Sequence, residues 1–263
     1  MKKPLLDVIF ASEKRKGVLL LLQNGATEME HLLSALNTTR QALLPQIRIL
    51  EEHHLVSHDK DTYDLTTIGK LIVERMTPLL NTLDTLEIDI DYWGTHDLSF
   101  IASDLLKRIN ELSSCKIHEI AMHEIFDEDP QFIKDSKAST ALFTVTSFRI
   151  VGFEKALVDL ISNKVNMSLI ISQESYEKVL HENPEMVNGL TKIEYVDSYI
   201  YPEKMRFMSF SVNDFSIVLR LLKKKGDFSN KRLVCSSESA IKWGKELFDH
   251  YLKNSSPAAE IEG

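Results

Sequence analysis

Cysteine is scarce in this chain of 263 residues, with only Cys115 and Cys235 present. Two thiols without paired ligand spacing exclude a disulfide framework or a zinc ribbon, and each is expected to be a buried thiol without redox chemistry. No run of about 18 uncharged apolar residues occurs, which excludes a conventional transmembrane helix. Met1-Lys-Lys-Pro4 leads into an amphipathic helix rather than a secretory signal, so the expected location is the cytoplasm. The phosphate loop G-x-x-x-x-G-K-[ST], the dinucleotide fingerprint G-x-G-x-x-G, the nucleophile elbow G-x-S-x-G, paired C-x-x-C and H-E-x-x-H are all missing. No enzymatic activity and no cofactor are expected. His118-Glu119 and His123-Glu124 lie five residues apart, a spacing that puts the two His on opposite faces of a strand, so no metal site is expected.

Apolar residues make up 43% and charged residues 27% of the chain, an ordinary globular composition long enough for two domains. The net charge of −8 is unevenly placed: ten Lys/Arg and ten Asp/Glu fall before Thr77, leaving 21 basic and 29 acidic residues for the rest. A neutral first part on an acidic body fits DNA reading by a few directed cations, with weak sequence-independent affinity.

The most informative stretch runs from Thr39 to Val56. Thr39 is placed to cap a helix, and Leu43, Ile47 and Leu50 recur at helical spacing as its buried stripe. The other face carries Arg40, Gln41, Gln46 and Arg48, side chains suited to base edges or phosphates in the major groove. The run Ser57–Leu65 reads as a hairpin, a wing with Lys60 for a phosphate, and Lys14 and Lys16 are placed to brace the DNA backbone. Helices over Leu5–Phe10, from Ser12 through Gln23 and over Glu28–Leu36 precede this one and complete a helix-turn-helix order. Pro45 requires either a bend or a different helix boundary.

Thr66 or Thr67 is expected to cap a long helix reaching about Asp91. In it Ile72, Met76, Leu79, Leu83, Leu86 and Ile90 repeat 4-3-4-3-4, continuing to Trp93, as the seam of two packed helices. Pairing with a second chain gives a homodimer able to span two half-sites; the alternative is packing on the chain's own body. A helix capped at Ser99 or Ser103 and ending near Leu112 bridges to the second domain, and Trp93 and Asp97 are assigned to a signal-transmitting junction. Beyond Lys116, strands (Lys116–Met122, Ala141–Thr146, Met167–Ile171, Ile193–Val196, Met205–Val212, Phe215–Leu222) mix with helices (Phe153–Ser162, Ser172–Leu180, Glu238–Lys253).

The expected fold is thus α+β and α/β in two domains. Residues 1–66 form a winged helix-turn-helix, 67–114 linker and dimerisation helices, 115–254 a mixed-sheet α/β effector or sensor domain, and 255–263 a disordered tail. In such a domain Ser147 and Arg149 can hold an anionic group, with Phe148 and Phe153 as apolar walls of an effector pocket; the plainer reading makes Arg149 a surface cation and the Phe residues core.

Several segments together resemble a known family. They are Leu43-Leu-Pro45, Leu50-Glu-Glu52 with Leu55-Val56, Tyr63-Asp-Leu-Thr66 with Gly69, His96-Asp-Leu-Ser99, Leu105-Leu-Lys-Arg-Ile109, and Ala240-Ile-Lys-Trp-Gly-Lys-Glu-Leu-Phe248 with Tyr251. The chain resembles the archaeal, chiefly methanogen, winged-helix transcriptional regulators of the type described for control of filament formation and methanogenesis genes. The resemblance implies a cytoplasmic regulator of operator DNA whose second domain responds to a small molecule or mediates assembly. It also implies a degenerate phospholipase D-like sheet, in which no His is followed two residues later by Lys in the hydrolytic setting. The family has Gly where this chain has His54, at the turn before the wing. The alternative function is a winged-helix protein-interaction module that does not bind DNA.

Overall fold

The computed structural model describes residues 3–148, 153–185, 189 and 193–258. Two compact units divide at Asn81/Thr82. Residues 67–114, expected as one linker segment, are therefore shared between the units.

The first unit contains α1 (Leu5–Phe10), α2 (Glu13–Leu21), β1 (Thr27–Glu28), α3 (Met29–Ala35), α4 (Arg40–Glu52), β2 (Val56–Asp59), β3 (Thr62–Leu65) and the start of α5 (Thr67–Glu87). Ser12 begins α2 by accepting from the Arg15 N–H, satisfying one orphan donor of the first turn. Thr39 makes no side-chain cap, contrary to expectation; only its carbonyl enters α4, accepting from Leu43 N at 3.0 Å. Helix α4 runs through Pro45, whose missing N–H falls on the exposed side. Leu43, Ile47 and Leu50 are fully buried with Val18, Leu19, Leu22 and Leu32, each contributing about 1.5–3 kcal/mol by removal from water.

The turn after α4 works without glycine. His54 takes φ 58° and donates its N–H to Glu51 O at 2.8 Å, a left-handed position that His tolerates better than a branched residue. Strands β2 and β3 pair antiparallel from Val56↔Leu65 to Asp59↔Thr62, leaving Lys60 (φ 56°) and Asp61 as the hairpin turn. β1 pairs the other edge of β3. Thr66 caps α5 by accepting from Gly69 N at 3.1 Å. Gly69 is required there, because a Cβ would lie 2.0 Å from the Leu55 carbonyl oxygen.

In the second unit follow α6 (Ile90–Thr95), α7 (Ser103–Leu106), β4 (Lys116–Glu119), α8 (Pro130–Lys137), β5 (Ala141–Thr146), α9 (Phe153–Ser162), β6 (Asn166–Ser172), α10 (Gln173–Glu182), β7 (Val196–Tyr201), β8 (Phe207–Val212), β9 (Ile217–Leu221), β10 (Lys231–Cys235), α11 (Glu238–Leu252) and β11 (Ser256–Pro257). The mixed sheet has the order β11-β7-β6-β5-β8-β9-β10-β4, with β5, β6 and β7 parallel and the other pairings antiparallel. Alternation along the strands buries both faces. One carries Trp243, Leu247, Phe248 and Tyr251 of α11, and the other carries Phe132 of α8 with Leu157 and Leu160 of α9.

Further expectations change. Helix α5 ends at Glu87, so Ile90 belongs to α6, which Asp89 caps through Tyr92 N. The strand expected at Ile193–Val196 begins only at Val196. Ser256 and Pro257 pair with β7 and Ala258 is buried, so the tail is ordered through 258; residues 259–263 lie outside the described ones. Finally, Cys115 and Cys235 are joined in a disulfide, not separate thiols. The β10–β4 register sets Val234 opposite Lys116, which brings the next pair, Cys235 and Cys115, face to face with Cα atoms 4.2 Å apart. Among the described residues no helix is long and apolar enough to cross a membrane.

Candidate nucleic-acid interface

Burial separates the polar residues of α4 into two sets. Gln41 and Arg48 are exposed, and among the described residues neither has a hydrogen bond or ion pair from its side chain. Gln46 instead turns inward: its Oε1 accepts from Arg15 Nη1 at 2.6 Å and from the Ser12 hydroxyl at 3.3 Å. Arg15 is buried and also donates to the Val8 carbonyl and, at 3.2 Å, to the Asp7 carbonyl. One guanidinium thus fastens the end of α1 and the middle of α4 to the first turn of α2. Gln46, assigned to the groove from sequence, is a structural acceptor. Arg15, within the Lys14–Lys16 run expected to brace the DNA backbone, instead faces inward, as its spacing to Val18, Leu19 and Leu22 allows.

Arg40 is exposed but not free. Its two terminal nitrogens engage both carboxylate oxygens of Asp61 in the hairpin turn. The hydrogen-bonded guanidinium holds Asp61 below the usual carboxylate range, and Asp61 raises Arg40 in return. Lys16 pairs with Glu13 at 2.7 Å; Lys14 is half-buried and Thr39 exposed. Lys60 stands exposed at the tip of the hairpin. The surface also holds Glu51, hydrogen-bonded to His58, and the exposed Asp59. The structure therefore brings Gln41, Arg48 and Lys60 to one unit as exposed polar residues, while Arg40, Gln46 and Lys16 have partners within the protein.

The heptad seam does not survive as one stripe. Met76 is buried in the first unit's own core, with Ile72 packed beside it, and Leu86 packs on the core of the second unit. In the first unit Leu79 (51% exposed) remains open on the outer side of α5 with Ile68 and Leu71, and in the second Leu83 (44%) is open. Trp93 is buried and donates its indole N–H to the Thr85 carbonyl at 2.9 Å; Asp97 accepts from Ser99 N at 2.8 Å and lies 3.9 Å from Arg206.

Within the second unit a cavity of about 510 Å³ opens beyond the carboxyl ends of β5, β6 and β7. Ser147 and Phe148 line it with Ser172, Glu174, Met205 and Phe228. The Ser147 hydroxyl already donates to Phe207 O at 2.7 Å, so it is engaged with the sheet rather than open to an anion. Phe148 stacks edge-on with Phe126, which also meets Phe228. Arg149 and the Phe153 side chain lie outside the described residues. Nearby on β9, Arg220 is buried against Glu128 (3.4 Å), and Arg232 beside it meets Asp129 at 3.1 Å. Burial outweighs the attraction and pushes Glu128 up. Among the described residues no group of three or more His, Cys, Asp or Glu is arranged to hold a metal ion.

Comparison with known proteins accounts for both units. Residues 6–87 match the HVO_A0261 N-terminal domain, and residues 125–254 match the middle domain of the methanogenesis regulatory protein FilR1. Together these matches cover most of the chain. The second unit is thus similar to the FilR1 middle domain and the first to the HVO_A0261 N-terminal domain, a pairing that resembles the archaeal methanogenesis regulators. Methanogenesis regulatory protein FilR1 of Methanothrix harundinacea is 24% identical over 255 residues, 94% of this chain, and the chain spans 56% of that relative's length. Among solved structures, TrmBL2, described as an archaeal chromatin protein with a novel mode of DNA binding, aligns over 96% of each chain with TM-score 0.44 and 10% identity. Nuc of Salmonella typhimurium, a phospholipase D family member, aligns over 55% of this chain and 97% of its own with TM-score 0.39 and 10% identity. At these scores neither solved structure bears on what the chain does.

Proposed function

We propose that the chain is a DNA-binding transcription regulator whose first unit is a winged helix-turn-helix. Helix α4 enters the major groove with Gln41 and Arg48, and Lys60 of the β2–β3 wing touches phosphate. The observation that carries this reading is the exposure of Gln41 and Arg48 on a helix whose opposite side is fully buried. An exposed Arg with no hydrogen bond or ion pair among the described residues is positioned for an outside acceptor. The regulatory names of the relatives agree with it.

Two finer assignments belong to the same proposal. A homodimer forms through the outer side of α5 in the first unit, with Ile68, Leu71 and Leu79 in place of the seam read from sequence. A small-molecule effector occupies the cavity beyond β5–β7, where Phe148 and Phe228 offer apolar contact. The second unit is not assigned hydrolysis: among the described residues lining the cavity none is a His.

Arg48→Ala tests the assignment. Binding to a duplex selected by the wild-type protein should weaken by about 1–3 kcal/mol with folding intact. Unchanged affinity would remove α4 from the groove and favour a protein-interaction module.

A further inference from the structure

Arg40 occupies the first position of α4, where an exposed guanidinium would meet a phosphate of any duplex. Its fork is already filled by Asp61, two nitrogens on two oxygens. Both side chains are about half exposed, 49% and 48%, so the pair lies on the surface itself. Asp61 is held in place by backbone: its carbonyl accepts from Met29 N at 3.0 Å, and the turn is fixed by the pairing of Asp59 with Thr62. An Arg paired in this way carries no net charge to a polyanion. To take a phosphate it must release Asp61, leaving a bare carboxylate beside the DNA backbone.

We propose that Asp61 is a specificity-determining residue, a wing carboxylate that withholds Arg40 from phosphate and so suppresses sequence-independent binding. The inference rests on the DNA-binding reading above. Sequence-independent affinity is set by the number of phosphates neutralised, so one internal pairing removes one contact from every random site. The base contacts of Gln41 and Arg48 keep their share, and the ratio of specific to non-specific affinity rises.

The test is binding of the full chain to random-sequence duplex between about 50 and 200 mM salt, the range over which phosphate contacts weaken steeply. Asp61→Asn is expected to bind about tenfold tighter at the lowest salt and to steepen the salt slope by about one. Arg40→Ala alone should leave the wild-type slope unchanged, and the double variant should return to it. Asp59→Asn, which removes an exposed carboxylate of the same hairpin, should shift affinity without changing the slope. A melting curve for each variant establishes that it is folded; Met29 binds the Asp61 backbone, which the substitution keeps.

Three results would overturn the inference. One is an unchanged slope in Asp61→Asn; another is an increment that persists without Arg40, which would reduce Asp61 to a distant charge. The third is a lower slope in Arg40→Ala alone, showing that Arg40 already contacts phosphate. Wild-type protein that binds no duplex at the lowest salt would overturn the DNA-binding reading and this inference together, whereas binding with no response to Asp61→Asn overturns only the inference.

Discussion

Arg15 and Gln46 are joined across the first unit by a 2.6 Å hydrogen bond from Nη1 to Oε1, and the same guanidinium closes on the carbonyls of Val8 and Asp7. The pose of α4 therefore depends on a cation that never reaches the outer surface. Arg15→Ala removes the donor that reaches the buried Val8 carbonyl and leaves Gln46 with the Ser12 hydroxyl alone, and is expected to destabilise the first unit by about 1–3 kcal/mol. Gln46→Ala should cost less, because Arg15 keeps both carbonyls. Urea unfolding followed by circular dichroism measures both; an Arg15→Ala midpoint equal to wild type would contradict the clamp.

His96 places a pH dependence in the second unit. It is buried, with Nδ1 2.6 Å from the Tyr92 carbonyl and Nε2 2.8 Å from the Ser229 hydroxyl. The carbonyl requires a proton on Nδ1, so in the neutral ring Nε2 accepts from Ser229. Burial, helped by Lys223 and Lys231, lowers its pKa. The folded state then binds the proton less readily than the unfolded chain. The stabilisation is complete above the unfolded histidine range, near pH 6.5, and is lost as pH falls through the depressed folded value. Melting temperature should decline through mildly acidic pH, and a His96→Gln variant should lose that part of the decline. A variant that keeps the wild-type profile would remove His96 as its cause.

Much of the first unit was legible because its signals are local. Leu43, Ile47 and Leu50 mark the buried side of α4 by spacing alone, and Thr66 and Gly69 mark the start of α5. What sequence could not show was the destination of polar side chains. Arg40 and Gln46 carry the residue types of a reading face, but Asp61, 21 positions from Arg40, and Arg15, 31 positions from Gln46, claim them in three dimensions. The second unit hid more. Its β10 opens with Lys231 and Arg232 and lacks the apolar alternation of a strand, and the disulfide depends on a register between residues separated by 120 positions. Met76 fitted a heptad yet faces the unit's own core, because the same spacing serves internal packing and dimerisation equally well.

Cys115 and Cys235 tie the edge strand β4 to β10. Chain purified without reductant should have the mass of the oxidised form, two hydrogens below the dithiol. The Cys115→Ser/Cys235→Ser variant should be less stable in its second unit by about 2–5 kcal/mol, the usual cost of removing a native disulfide. Free thiols titrating in the unfolded, unreduced chain would contradict the pairing.

The most direct measurement of the central claim is selection of bound duplexes from fragmented genomic DNA by the purified chain, with light scattering on the same sample. The expected result is an enriched motif with two half-sites, bound by a dimer and lost in Arg48→Ala. No enrichment over random duplex at low salt would contradict DNA reading by α4.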